Sequence, residues 1–132
     1  MPRRTALARF MLCALATAPA VAHHSIAHDF DVSRPLRLEG RVVHFAWRNP
    51  HCAIRLAVLR PDGAIDLWDV EGGPPNALRR RGWTKETVQE GARIVVNGHA
   101  ARDGSRRANA QQIELVGGRL LDAASSYLPA SP

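Results

Sequence analysis

Three observations predict a mainly β chain: a small five-stranded, OB-like, partly open barrel with one or two short helices between strands 3 and 4. Several segments alternate apolar and polar residues with period two, the mark of half-buried strands. Turn signals rich in Pro, Gly, Asp and Ser separate them. One stretch with helix start and stop residues interrupts the series, between the third and fourth strands. This order suits a small barrel of the OB type, with a β-sandwich as the alternative arrangement of the same strands.

The first strand is Leu36–Phe45, where Leu36, Leu38 and Val42 share a face and Gly40 marks a bend or bulge. The second is His51–Leu59, with Ile54, Leu56 and Val58 on one face and Arg55 on the other. Arg60-Pro-Asp-Gly63 is a turn, because Pro presets φ and Gly accepts a positive one, so Ile65–Val70 returns as a hairpin partner. A short helix then starts at Pro75 and stops at Gly82, with Arg79–Arg81 in a last turn whose dipole favours cations. Thr84 caps a second short turn through Gln89. Ala92–His99 is the fourth strand, Arg102-Asp-Gly-Ser105 a turn, and Ala110–Val116 the fifth strand.

The start of the chain reads differently. Arg3, Arg4 and Arg9 precede an apolar stretch from Phe10 to Ala18, and Ala18-Pro-Ala-Val-Ala22 supplies small residues for cleavage. These are the three parts of a secretory signal peptide. Cleavage is expected after Ala22, with Ala20 as the other candidate. Thr5-Ala6-Leu7 fits a twin-arginine pattern only loosely, so the Sec route is expected. Residues 1–22 are then a signal peptide, 23–119 a single domain and 120–132 a loosely ordered tail. The protein is expected to be periplasmic.

Processing changes the bulk numbers. Of 132 residues 110 remain, and three of the 18 basic residues leave, so a net charge of +6 falls to +3 against the same 12 acids. Cys13 leaves too, which makes Cys52 the only cysteine and excludes an internal disulfide. No apolar run reaches the roughly 18 residues of a membrane span, so an integral membrane protein is not expected. All six histidines stay.

Read in order, His23-His-Ser25, Phe30-Asp31, Asn49-Pro-His51, Glu71-Gly-Gly73, Pro75-Asn-Ala-Leu78, Arg81-Gly-Trp-Thr84, Gly98-His99 and Asp103-Gly-Ser105 form a recognisable series. The chain resembles, from His23 to about Arg119, the small exported bacterial proteins grouped as domain of unknown function 6152. The resemblance implies an exported β-fold and no particular reaction. Where members of that group have an aromatic-rich stretch after Asn-Pro-His, this chain has Cys52-Ala-Ile-Arg55.

The histidines carry the chemistry. A cut after Ala22 makes His23 the N-terminal residue, able to chelate a metal through its α-amino nitrogen and its imidazole. One more histidine completes a three-nitrogen brace, a set that suits Cu(II). A cut after Ala20 leaves Val21-Ala-His23, another Cu(II) or Ni(II) chelate. The partner is sought among His24, His28, His51 and His99. His51 is favoured because it follows Asn49-Pro50, where the backbone is restricted. Cys52 should face the other way and be a small buried hydrophobe, while His44 and His99 are expected to be half-buried strand residues.

Other classes find less support. An envelope protein docking on the Glu71–Thr84 loop and helix, through Glu71, Gly72, Gly73, Asn76, Arg81 and Trp83, is the alternative to copper. Trp47, Trp68 and Trp83 among arginines suggest nucleic-acid stacking, but export argues against that partner. Neither a nucleophile elbow nor a phosphate loop is present, so no catalytic role is expected.

Overall fold

The computed structural model describes residues 26–125. The expected signal peptide, with His23 and His24, lies outside the described residues. In chain order the elements are α1 (Ile26–Asp29), β1 (Phe30–Ala46), β2 (Ala53–Leu59), β3 (Ile65–Glu71), α2 (Pro75–Arg80), β4 (Arg93–Ala101), β5 (Arg107–Glu114) and β6 (Leu120–Asp122).

β1 is long because it serves two neighbours. It pairs with β4 from Phe30 to Arg41 and with β2 from Arg41 to Ala46, both antiparallel. The strand bends where it changes partner, at the Gly40 marked by the sequence. A Cβ on Gly40 would lie 2.3 Å from the Ala57 carbonyl oxygen, so only glycine lets β2 cross there. A bulge between Val42 and His44 completes the turn of the strand.

The β2–β3 hairpin follows the expected turn. Arg60 N donates to Ala64 O at 2.8 Å, the Asp62 carboxylate accepts from Ala64 N at 3.0 Å, and Gly63 takes φ 87°. The β4–β5 turn is built alike: Asp103 accepts from the Ser105 hydroxyl and backbone N–H, which holds its carboxyl below the usual range. α2 starts with Pro75 and ends before Gly82, whose φ is 85°. The second helical turn expected at Thr84–Gln89 is not helix. Thr84 and Thr87 close a polar turn on themselves instead, Thr84 N donating to Thr87 Oγ1 at 2.7 Å, and α2 is the one helix between β3 and β4.

The sheet order is β3-β2-β1-β4-β5-β6, with β3 also pairing parallel to β5 through Asp69–Glu71 and Arg107–Asn109. That last pairing closes β3-β2-β1-β4-β5 into a ring, while β6 pairs farther along β5. Five strands closed in the order β1-β2-β3-β5-β4 form the partly open OB-type barrel, and the ring excludes the sandwich. The core inside it comes from Leu38, Val42, Ile54, Leu56, Val70, Ile94, Val96 and Ile113, with Leu78 and Trp83 plugging one end.

Strand boundaries shift from the sequence reading, most of all at three strand starts. β1 begins at Phe30, six residues early; β2 begins at Ala53, two residues after His51; β5 begins at Arg107. Residues 120–125, expected to open a loose tail, instead form β6 and a strap with Leu121, Ala123 and Ala124 buried. Gly117 and Gly118, at φ 92° and 82°, reverse the chain so that β6 can return along β5. Among the described residues no helix is long and apolar enough to cross a membrane.

At Gly98 the β4 backbone lies so close to β5 that a Cβ would sit 2.0 Å from Asn109 O. Gly98→Ala should therefore lower the unfolding free energy by about 1–3 kcal/mol, read as a drop in the urea midpoint. An unchanged midpoint contradicts this packing.

Candidate functional site

The β2–β3 ladder runs past its strands. Cys52 N donates to Gly73 O at 3.0 Å and Gly72 N to Cys52 O at 2.8 Å, which fixes the segment that follows the cis Asn49–Pro50 peptide. Cys52 therefore points inward, 2% exposed, with burial raising its thiol pKa. His51, one residue earlier, points out, its side chain 43% exposed.

His51 stands beside Glu71, its Nδ1 4.0 Å from Glu71 Oε2. The other carboxylate oxygen of Glu71 accepts from Arg107 Nη2 at 2.9 Å, and this bond raises the Arg107 pKa further. The Arg107 guanidinium lies over the Phe30 ring, 5.5 Å from its centroid. Phe30 starts β1 directly after α1, and Arg102 ties α1 down by donating to Ala27 O at 2.9 Å. A run of contacts thus connects the N-terminal element with His51 through Phe30, Arg107 and Glu71. A groove of about 360 Å³ opens beside it, walled by Arg48, His51, Glu71 and the Arg55–Asp69 ion pair.

The strand register extends this face. Glu71 pairs with Asn109 and Asn109 with His99, so the three lie side by side across β3, β5 and β4. Paired residues share a sheet face. Asn109, 1% exposed, donates to Ser125 Oγ and accepts from Gln111 Nε2. His99 is half-buried, as expected, and its Nδ1 is a buried atom with no hydrogen-bond partner among the described residues.

Of the predicted metal ligands, His51 stands beside Glu71, a residue of the expected docking loop. His28 sits exposed on α1 with its Nδ1 2.9 Å from Asp29 Oδ1. His44, expected half-buried, is exposed and contacts Glu90 at 2.6 Å, because the β1 bulge turns it outward. No group of three or more His, Cys, Asp or Glu able to hold a metal occurs among the described residues.

The expected docking residues are largely occupied by the chain itself. Gly73 N donates to Ala123 O at 2.9 Å, and a Cβ on Gly73 would lie 2.6 Å from Ala124 O. Ser125 Oγ donates to Gly72 O, Arg81 to Ala124 O at 2.6 Å, and Trp83 Nε1 to Asp122 O at 2.9 Å. Trp83 is 3% exposed. Asn76 alone among them is exposed, its Oδ1 accepting from Ala77 N. Trp47 and Trp68 are partly buried against the core rather than free platforms. Arg107 and Asn109 escaped the sequence reading because their roles depend on the β3–β5 closure, for which no local pattern exists.

A family model described as "Family of unknown function (DUF6152)" matches residues 11–110. No curated protein matches the chain. Among solved structures, the mitochondrial single-stranded DNA binding protein from S. cerevisiae is similar at 19% identity and TM-score 0.48, covering 62% of this chain and 92% of that one. The N-terminal domain of PriB protein from Thermoanaerobacter tencongensis is similar at 19% identity and TM-score 0.43, covering 64% and 97%.

Burial of Cys52 makes its thiol a reporter of the closed barrel end. In protein carrying Cys13→Ser, a thiol reagent at neutral pH should label Cys52 only as fast as the protein unfolds. Rapid labelling in native buffer contradicts the packing.

Proposed function

The chain belongs to the DUF6152 family, whose function is unknown, and from that premise we propose that it is an exported, non-catalytic binding protein that takes one Cu(II) at its mature N-terminus. In this reading the signal peptide is removed after Ala22 in the periplasm. His23 then offers its α-amino nitrogen and its imidazole, and His51 supplies a third nitrogen. Nitrogen-rich, planar ligation of this kind is what Cu(II) prefers.

The observation that carries the reading is the run of contacts from Phe30 through Arg107 and Glu71 to His51. It links Phe30, the first residue of β1, to the half-exposed imidazole of His51. His23 precedes Ile26, where α1 starts, by three residues, and that length spans up to about 10 Å. Among the other candidates, His28 is engaged with Asp29 and the Nδ1 of His99 is buried. Docking of an envelope protein on the Glu71–Thr84 segment has less to work with, since the strap covers Gly73 and Trp83.

The test is a Cu(II) titration of the export-processed protein followed by EPR. One copper with a nitrogen-dominated, tetragonal signal is expected. His23→Ala and His51→Ala should each weaken binding by more than the about 10- to 100-fold that a ligand's outer partner is worth. Wild-type affinity in both variants removes this reading.

A further inference from the structure

The end of β3 away from Glu71 is an open edge. β5 pairs with β3 through Asp69–Glu71, which leaves Ile65–Trp68 bonded on the β2 side alone among the described residues. Asp69 N donates toward β5, to Arg106 O at 3.0 Å. Backbone groups alternate sides along a strand, so those two residues apart point the same way. The N–H and C=O of Leu67 and Ile65 therefore point to the β5 side too, and among the described residues none has a hydrogen-bond partner there. The side chains beside these free groups are apolar and exposed: Ile65 is 64% exposed, Leu67 51%, and Leu59, paired with Ile65, 69%. Exposed apolar side chains on an unpaired edge are the pattern to which another strand adds.

We infer that this edge pairs antiparallel with the same edge of a second copy of the chain, around a two-fold axis at Asp66. In that register Ile65 of one copy stands opposite Leu67 of the other and exchanges both backbone bonds with it, and the reverse pair does the same. Every open group on the edge is then used. The Ile65 and Leu67 side chains of both copies meet on one face, flanked by Leu59. On the opposite face Asp66 meets its own counterpart, and the charges there allow it. Asp66 is held by Arg106 at 3.0 Å and by Arg60 at 3.7 Å, and Arg60 also binds Asp62. Two carboxylates stand against two guanidinia in each copy, so neither brings a net charge to the axis. Asp69, next along the apolar face, is matched by Arg55. A foreign strand would need the same alternation of apolar residues and the same neutrality, whereas a second copy has both by identity. The inference is independent of the copper reading, since His51 lies beside Glu71 at the other end of β3.

Sedimentation equilibrium of the purified protein over a rising concentration series tests this. The weight-average mass should climb from that of one chain toward that of two. Where the dimer dominates, hydrogen exchange followed residue by residue by NMR should show the Ile65 and Leu67 amides slowed at least about tenfold relative to dilute protein. Leu67→Lys changes an exposed side chain, so it should keep the circular dichroism of the barrel and stay monomeric across the same series. A monomer at every concentration overturns the inference, and so does a dimer whose Ile65 and Leu67 amides exchange as fast as in dilute protein. A monomer whose two amides slow only on adding an extended peptide of alternating valine and threonine assigns the edge to a foreign strand, and also overturns the self-pairing. If Leu67→Lys fails to fold, the mass and exchange results on the wild type decide alone.

Discussion

Three residue pairs, Asp69–Arg107, Val70–Ala108 and Glu71–Asn109, join β3 to β5 and close the sheet on itself. The other strand pairings follow from hairpins or from the length of β1, which also reaches the distant β4, but this one closes the ring. Its inward members, Val70 and Ala108, are fully buried, so the closure is held by packing as well as by its ladder. On the other face Glu71 and Arg107 bond to each other, Asp69 pairs with Arg55, and Asn109 is buried beneath Ser125. One short parallel pairing therefore completes the core on one face and sets the charged chemistry on the other.

The glycines and the strap complete the closed end. Gly72 and Gly73 carry no side chain because the 123–125 segment lies across them, and Trp83 and Arg81 donate to its carbonyls. The stretch that reads most strongly as a recognition motif, Glu71 to Thr84, is thus mainly an internal socket for the chain's own C-terminal segment. Each neutral hydrogen bond there is worth about 0.5–1.5 kcal/mol net, while the burial of Leu78 and Trp83 contributes more. Glu71 shares a sheet face with Asn109, and its carboxylate accepts from Arg107 and stands beside His51.

Local rules made much of this legible. Period-two alternation located five strands and the faces of Leu38, Val42, Ile54 and Leu56, and Pro61–Gly63 with Asp103–Ser105 marked their turns. The opposite facing of His51 and Cys52 also follows from strand geometry. What local rules miss is set at long range. The six residues that extend β1 back to Phe30 contain Pro35, and they count as strand only because β4 lies beside them. β6 spans three residues, too few for a periodic signal, and it orders by packing onto β5. The β1 bulge that exposes His44 and the contact of Arg107 with Glu71 have no sequence signature either.

The proposed function pairs His23, the residue that follows the expected cleavage, with His51 beside Glu71. Its central claim is that cleavage creates a copper ligand, and that claim is tested most directly by native mass spectrometry of the protein recovered from the periplasm. The account predicts a chain beginning at His23 that carries one copper ion. A chain beginning at Ser25 or later, or one beginning at His23 that takes up no copper, contradicts it.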